Sequence, residues 1–163
     1  YGLNITEREA QDLKRAWFSR WPEMRLYFAK VKGDVSRGHM THHYSGRRRG
    51  GIGFTDGANS YFQGLVADGA KCALYNVVRA CWMQPESALF GARPVLFIHD
   101  EIIIEAPEGR ASVAADELAR LMIPGIKPFL PDLPIEVEAW CSHMWTKGLD
   151  EARDPDGRHI IQN

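Results

Sequence analysis

The sequence predicts an α+β fold, with helices packed on a small antiparallel sheet. Two short apolar runs, rich in β-branched and aromatic residues, flank His99-Asp100-Glu101, with Gly91 and Pro94 before them and Pro107 and Gly109 after them. That is the pattern of a β-hairpin, Val95–His99 with Glu101–Glu105, closed by a tight turn. Separate stretches repeat apolar residues at helical spacing. Ile135, Val137 and Ala139 alternate with Glu136, Glu138 and Trp140, which predicts a third strand, Pro134–Trp140, paired with the hairpin. At 163 residues the chain is one domain or a piece of one.

Thr6-Glu7-Arg8-Glu9 is a capping box: the Thr6 hydroxyl caps the amide three residues on, and Glu9 reaches back. Ala10, Leu13, Trp17 and Trp21 follow at helical spacing, so a helix is expected from Thr6 to Arg20. Pro22 suits the first turn of a second helix, with Met24, Tyr27 and Val31 on one face. The aromatic residues of both helices are expected in the core. Gly33 to Ala58 has no periodicity and reads as a long loop or irregular hairpin, basic and solvated. His39, His42 and His43 within it lack metal-ligand spacing. Arg47-Arg48-Arg49 is a dense positive patch suited to phosphate.

A long helix is expected from Asn59 to Cys81, with Phe62, Val66, Ala70 and Leu74 in a stripe extended by Val77 and Val78. Asn59 and Gln63, four apart, present their amides on one side of its first turn. Asn59 also has the chemistry of an N-cap; Gln63 has no such structural role, and Gly64 beside it leaves room for a close partner. A helix over Arg110–Met122 carries Ala114, Leu118, Leu121 and Met122 inward, and prolines punctuate the loop after it. From Asp150 onward the chain is polar, without periodicity, and expected to be mobile.

Charge is uneven. Residues 1–50 hold 11 Lys and Arg against 5 Asp and Glu, net +6; residues 51–163 hold 9 against 16, net −7, leaving the overall −1. A basic part joined to an acidic part suggests a polyanion for the first and metal or solvent for the second. Cys72, Cys81 and Cys141 are odd in number, lack metal spacing, and read as reduced, mostly buried thiols of an intracellular protein. No apolar run approaches a membrane span, and no secretory signal precedes the first helix. The opening Tyr1-Gly2, with no methionine, reads as a processed, excised or truncated polypeptide. The hairpin turn uses a histidine and two acids where Gly, Asn or Pro would fit better, which marks the tip as a candidate site rather than a plain solvated turn.

Four stretches, in order, carry a resemblance. Tyr1-Gly2 with Leu3-Asn4-Ile5-Thr6, Gly46-Arg47-Arg48-Arg49, Asn59-Ser60-Tyr61-Phe62-Gln63-Gly64-Leu65-Val66-Ala67-Asp68, and His99-Asp100-Glu101 between apolar strands resemble motifs of the C-terminal part of a family A (DNA polymerase I type) DNA polymerase, of the kind found in bacteria and their phages. Trp145 fits the family's terminal aromatic. The resemblance covers residues 1–149. It implies a polymerase palm with the tail end of the fingers: residues 1–58 as fingers-derived helices and basic loop, 59–149 as palm (helix, His-Asp-Glu hairpin, helix, strand), and 150–163 as the mobile tail.

The resemblance also implies template-directed nucleotidyl transfer by two metal ions, Mg²⁺ with Mn²⁺ as an alternative. Asp100 would be a catalytic metal ligand and Glu101 a weaker or water-bridged one. His99 would sit by the primer terminus. Gln63 and Asn59 would hydrogen-bond minor-groove acceptors, which are nearly alike for all base pairs. Tyr1 would lie near the templating base, and the arginines would track phosphates. The partners implied are primer-template DNA, deoxynucleoside triphosphates and a missing N-terminal polymerase portion, with no membrane, in the cytoplasm of a bacterial or phage-infected cell. The family's first catalytic aspartate and its triphosphate-gripping fingers helix have no counterpart here. The Arg49–Asn59 connection is short, and Thr55 stands where many members place an arginine. Activity would therefore be incomplete in this chain alone, and a non-catalytic DNA-binding remnant or split-polymerase subunit is the alternative. A metal phosphohydrolase pair at His99-Asp100 would need helices bearing further His and Asp ligands, which the sequence does not offer.

Overall fold

A computed structural model describes residues 4–146 and 148–163. The elements, in order, are α1 (Glu7–Arg20), α2 (Met24–Ser36), β1 (His39–Thr41), β2 (Arg48–Gly50), α3 (Phe54–Met83), β3 (Arg93–Ile98), β4 (Glu101–Glu105), a 3-10 turn at Glu108–Arg110, α4 (Ala111–Ile126), a second 3-10 turn at Lys127–Phe129, β5 (Cys141–Ser142) and β6 (Ile161–Gln162). The α+β class is borne out. No helix among the described residues is long and apolar enough to cross a membrane. Two compact units divide the chain at Phe62/Gln63, inside α3.

In the first unit the capping box forms as expected: the Glu9 amide donates to the Thr6 hydroxyl at 3.3 Å, and the Thr6 amide donates to the Glu9 carboxylate at 2.7 Å. The bond from the Thr6 amide, with a smaller contribution from the Thr6 hydroxyl donating to the same carboxylate, holds the Glu9 carboxyl below its usual range. The aromatic residues of α1 and α2 are not the closed core the sequence predicts. Trp17, Phe18, Phe28, Tyr27 and Phe54 stack on one another, but α1 buries no residue, and Leu13 remains 59% exposed. Only the far side of α2 is sealed. Gly57 approaches it so closely that a Cβ there would meet Val31 at 3.1 Å and Ile52 at 3.4 Å.

Behind that contact Asp34 is buried, and it is tied to Tyr61, Lys30 and Arg37. Burial alone would raise the Asp34 carboxyl; the Tyr61 hydroxyl and the two cations more than reverse this and lower it. The stretch from Gly33 to Ala58 is more ordered than a long loop. Helix α2 runs on to Ser36, β1 and β2 pair as an antiparallel hairpin, and α3 starts at Phe54. His42, expected in a solvated loop, is fully buried beside the Tyr61 ring.

The second unit is built on the rest of α3. Ala73, Val77, Ala80 and Cys81 face Ile102 of the β3–β4 hairpin and Ala114 and Met122 of α4. Here the predicted apolar stripe is real but half covered: Val77 is fully buried, while Val66, earlier on the same stripe, is 43% exposed. Helices α3 and α4 cross at glycines. A Cβ on Gly69 would lie 3.2 Å from the Ile126 Cα, and one on Gly125 only 2.4 Å from the Ala73 amide nitrogen. Pro124 falls inside α4, which continues to Ile126, beyond the predicted end at Met122. Among the described residues no disulfide forms; Cys81 is buried and Cys141 half-buried, but Cys72 is exposed, contrary to expectation.

The expected third strand is absent. Residues 134–140 make no ladder with the hairpin, and among the described residues the strands form three separate pairs: β1–β2, β3–β4 and a parallel β5–β6. The alternation corresponds to burial, since Ala139 is buried and Ile135 and Val137 half-buried while Glu136 and Glu138 are exposed. A period of two fixes which side chains face inward, but not whether a neighbouring backbone is aligned to pair. The tail from Asp150, expected to be mobile, is held instead by the β5–β6 pair, by an Arg153–Asp116 ion pair at 2.7 Å, and by burial of His159.

Candidate functional site

The β3–β4 hairpin positions the tip. Antiparallel register pairs Ile98 with Glu101, leaving His99 and Asp100 as a two-residue turn. The ladder carries one irregularity, between Pro94 and Leu96. His99 takes φ +54°, the only positive φ of a non-glycine residue among those described. A two-residue hairpin turn needs positive φ at its first central position, where glycine fits without strain. A histidine there costs on the order of 1–2 kcal/mol, held in place by the ladder behind it. Local turn stability therefore does not account for a histidine at this position.

Asp100 is exposed at the turn and Glu101 is half-buried at the head of β4. The Glu101 carboxylate accepts a hydrogen bond from the Trp145 indole N–H at 3.4 Å. This contact has no signal in the sequence, because 44 positions separate the two residues. Beneath the tip, a groove of about 810 Å³ runs between β4, α4 and the segment leading to Trp145, lined by Glu101, Glu105, Leu118, Glu136, Val137 and Trp145. Among the described residues, no three His, Cys, Asp or Glu side chains converge on a point that could hold a metal ion. The tip thus exposes the Asp100 carboxylate, with that of Glu101 half-buried beside it.

The other predicted positions are distributed as follows. Gln63 is exposed on α3 at the start of the second unit. Asn59 is exposed in the first unit and is no helix cap, because α3 begins five residues earlier at Phe54. That removes the structural explanation for its amide. The arginine triplet, also in the first unit, is not one uniform patch. Strand alternation puts Arg48 opposite Thr41 and Arg49 opposite the buried Met40. Arg49 accordingly turns to the Ser60 hydroxyl on α3, whereas Arg48 projects from the other face. Tyr1 lies outside the described residues.

The model of DNA polymerase family A matches residues 2–147. This chain belongs to that family. Among its family A relatives, the DNA polymerase I of Aquifex aeolicus is 30% identical over 149 residues, covering 90% of this chain and 25% of that protein. The DNA polymerase I of Helicobacter pylori is 26% identical, covering 89% and 17%, and the thermostable DNA polymerase I of Thermus aquaticus is 28% identical, covering 88% and 18%. The chain spans a quarter or less of the length of these relatives. No solved structure matches it.

Proposed function

We propose that this chain is the palm and late-fingers portion of a DNA-directed DNA polymerase, joining nucleotides to a primer on a DNA template when combined with its missing N-terminal portion, in the cytoplasm of a bacterial or phage-infected cell. The observation that carries the reading is the exposed Asp100 beside Glu101 on a strained hairpin tip, in a chain of this family. Asp100 and Glu101 would help to hold Mg²⁺, or Mn²⁺, which would supply activation of the primer hydroxyl and charge stabilisation of the leaving pyrophosphate. Asp100 would supply a carboxylate oxygen from the turn that the ladder closes, and Glu101 would be an outer or water-bridged ligand beside it. His99 reaches the primer terminus from the same turn. Gln63 and Asn59 would donate to minor-groove acceptors shared by all base pairs, Arg47, Arg48 and Arg49 would meet phosphates, and the resemblance assigns the templating base to Tyr1.

The alternative reading is a non-catalytic DNA-binding remnant or subunit of a split polymerase. Primer extension separates the two. The isolated chain, given Mg²⁺, primer-template and all four deoxynucleoside triphosphates, is expected to add nothing. Adding the N-terminal polymerase portion is expected to restore synthesis. Extension by the chain alone would overturn this division of parts, and silence with the companion present would favour the binding-only reading.

DNA affinity should be sequence-independent and fall with salt. Arg48→Ala is expected to flatten the slope of log K against log salt by about 0.9, the value of one phosphate contact. Arg49→Ala should change the slope less and stability more, because its hydrogen bond to the Ser60 hydroxyl is lost. Equal slopes for the two variants would show that strand alternation does not divide their roles.

A further inference from the structure

The family match ends at residue 147, so nothing in the family assignment accounts for residues 148–163. They form a structured return. Asp154 to Arg158 close a turn in which the Gly157 amide donates to the Asp154 carbonyl at 2.9 Å and the Arg158 amide to the Asp154 carboxylate at 2.8 Å. Arg153 bonds the Gly157 carbonyl at 2.7 Å, Glu151 at 2.6 Å and Asp116 of α4 at 2.7 Å. The next residue of consequence, His159, is driven into the second unit: its side chain is fully buried, its amide donates to the Ser112 hydroxyl at 2.8 Å, and its ring Nε2 lies 3.1 Å from the Asp116 carboxylate. Its Nδ1 is enclosed without a partner, so the Nε2–H tautomer leaves only a lone pair unsatisfied rather than a buried N–H. Enclosing a polar atom without a hydrogen-bond partner costs free energy, which the remaining contacts of His159 must offset.

The fixing extends towards the hairpin tip. With His159 seated, Ile161 and Gln162 pair with Cys141 and Ser142, and the His143 amide donates to the Gln162 carbonyl at 3.1 Å. The Ser142 hydroxyl donates to the Met144 carbonyl at 2.6 Å. The residue after Met144 is Trp145, whose indole holds Glu101. A continuous set of bonds therefore leads from His159 to the carboxylate beside Asp100.

We propose that residues 148–163 form a clasp, locked by His159, that positions the Glu101 carboxylate through Trp145. Trp145 and His159 are positioning residues; neither touches substrate. The proposal rests on reading the Asp100–Glu101 tip as the metal-binding site. With one Glu101 oxygen engaged by the indole, the carboxylate is kept oriented beside Asp100 rather than free to rotate across the tip. The Arg153 guanidinium holds the Asp116 carboxyl below its usual range, so the partner of His159 stays ionised through neutral pH.

Nitrogen-15 labelling of the tryptophans tests this in the full chain. The sequence holds five tryptophans, and Trp145→Phe identifies the Trp145 indole signal by its loss. Glu101→Gln and His159→Ala are each expected to displace that signal and leave the other four in place. A general loss of fold would instead move all five; for that case Asp116→Asn, which keeps the side-chain shape and weakens the lock, is expected to give the selective shift. An unmoved Trp145 signal in Glu101→Gln would overturn the indole–carboxylate bond. An unmoved signal in both lock variants would overturn the clasp. These readouts need no nucleotide addition, so failure of the clasp is distinct from failure of the polymerase reading, which turns on primer extension.

Discussion

Asp100→Ala should abolish nucleotide addition by a polymerase assembled from this chain and its N-terminal portion, while leaving DNA affinity unchanged or improved. Loss of a metal-ligating carboxylate removes transition-state charge stabilisation of several kcal/mol, and about 4 kcal/mol corresponds to roughly a thousandfold in rate. Affinity moves the other way because Asp100, at an exposed turn, repels phosphate when no cation is bound. The fold should hold, with stability within about 0.5 kcal/mol of the parent, because the side chain packs against no core. Glu101→Ala should be the milder change in rate, its carboxylate being half-buried and engaged by Trp145. Single-turnover extension and a DNA-binding titration on both variants decide the matter. Near-normal rates in Asp100→Ala, or greater damage from Glu101→Ala, would remove the tip as the metal site.

Gly125→Ala should cost the second unit about 3 kcal/mol or more. Two effects oppose each other. Replacing glycine by alanine inside a helix gains up to about 1 kcal/mol in propensity. Overpacking a close contact typically loses 1–3 kcal/mol, and occasionally more. Here the new Cβ would lie 2.4 Å from the Ala73 nitrogen, 2.5 Å from its Cα and 2.8 Å from the Cys72 carbonyl carbon. All three are backbone atoms, so no side chain can rotate aside and the helices must separate. The loss therefore exceeds the gain. For a chain of this size, each kcal/mol lowers the melting temperature by about 2–4 °C. Gly109→Ala is the control, since no atom lies within 4 Å of its would-be Cβ. Calorimetry showing the two variants alike would mean that α3 and α4 do not cross as closely as described.

What was legible in the sequence was local. Thr6 and Glu9 predict their own cap because the capping box is complete within four residues. The hairpin is legible because both strands and the turn are contiguous. Asn59 misled, since asparagine is a good cap; α3 starts five residues earlier, behind Gly53. The Pro134–Trp140 strand failed for a different reason: its alternation records burial, which any extended segment lying on a core can have without a ladder. Helix α1 forms where its periodicity places it, but its expected burial failed, because periodicity marks an apolar face without saying what covers it. At the site, the adjacent residues His99, Asp100 and Glu101 could be read together from the chain. Trp145 against Glu101 and Arg49 against Ser60 could not, because each contact depends on elements that meet only in three dimensions.

The pairing of β2 with β1 has a consequence for how this chain can change. Whether an arginine faces outward or turns to Ser60 depends only on whether its position in the strand is odd or even. Inserting or deleting a single residue in the turn between Thr41 and Arg48 could slip the register by one and exchange the two roles at once. An even change preserves them. The charge on this hairpin is thus stored as a parity: substitutions within the turn leave it intact, and one frame-preserving codon inserted in the same place inverts it.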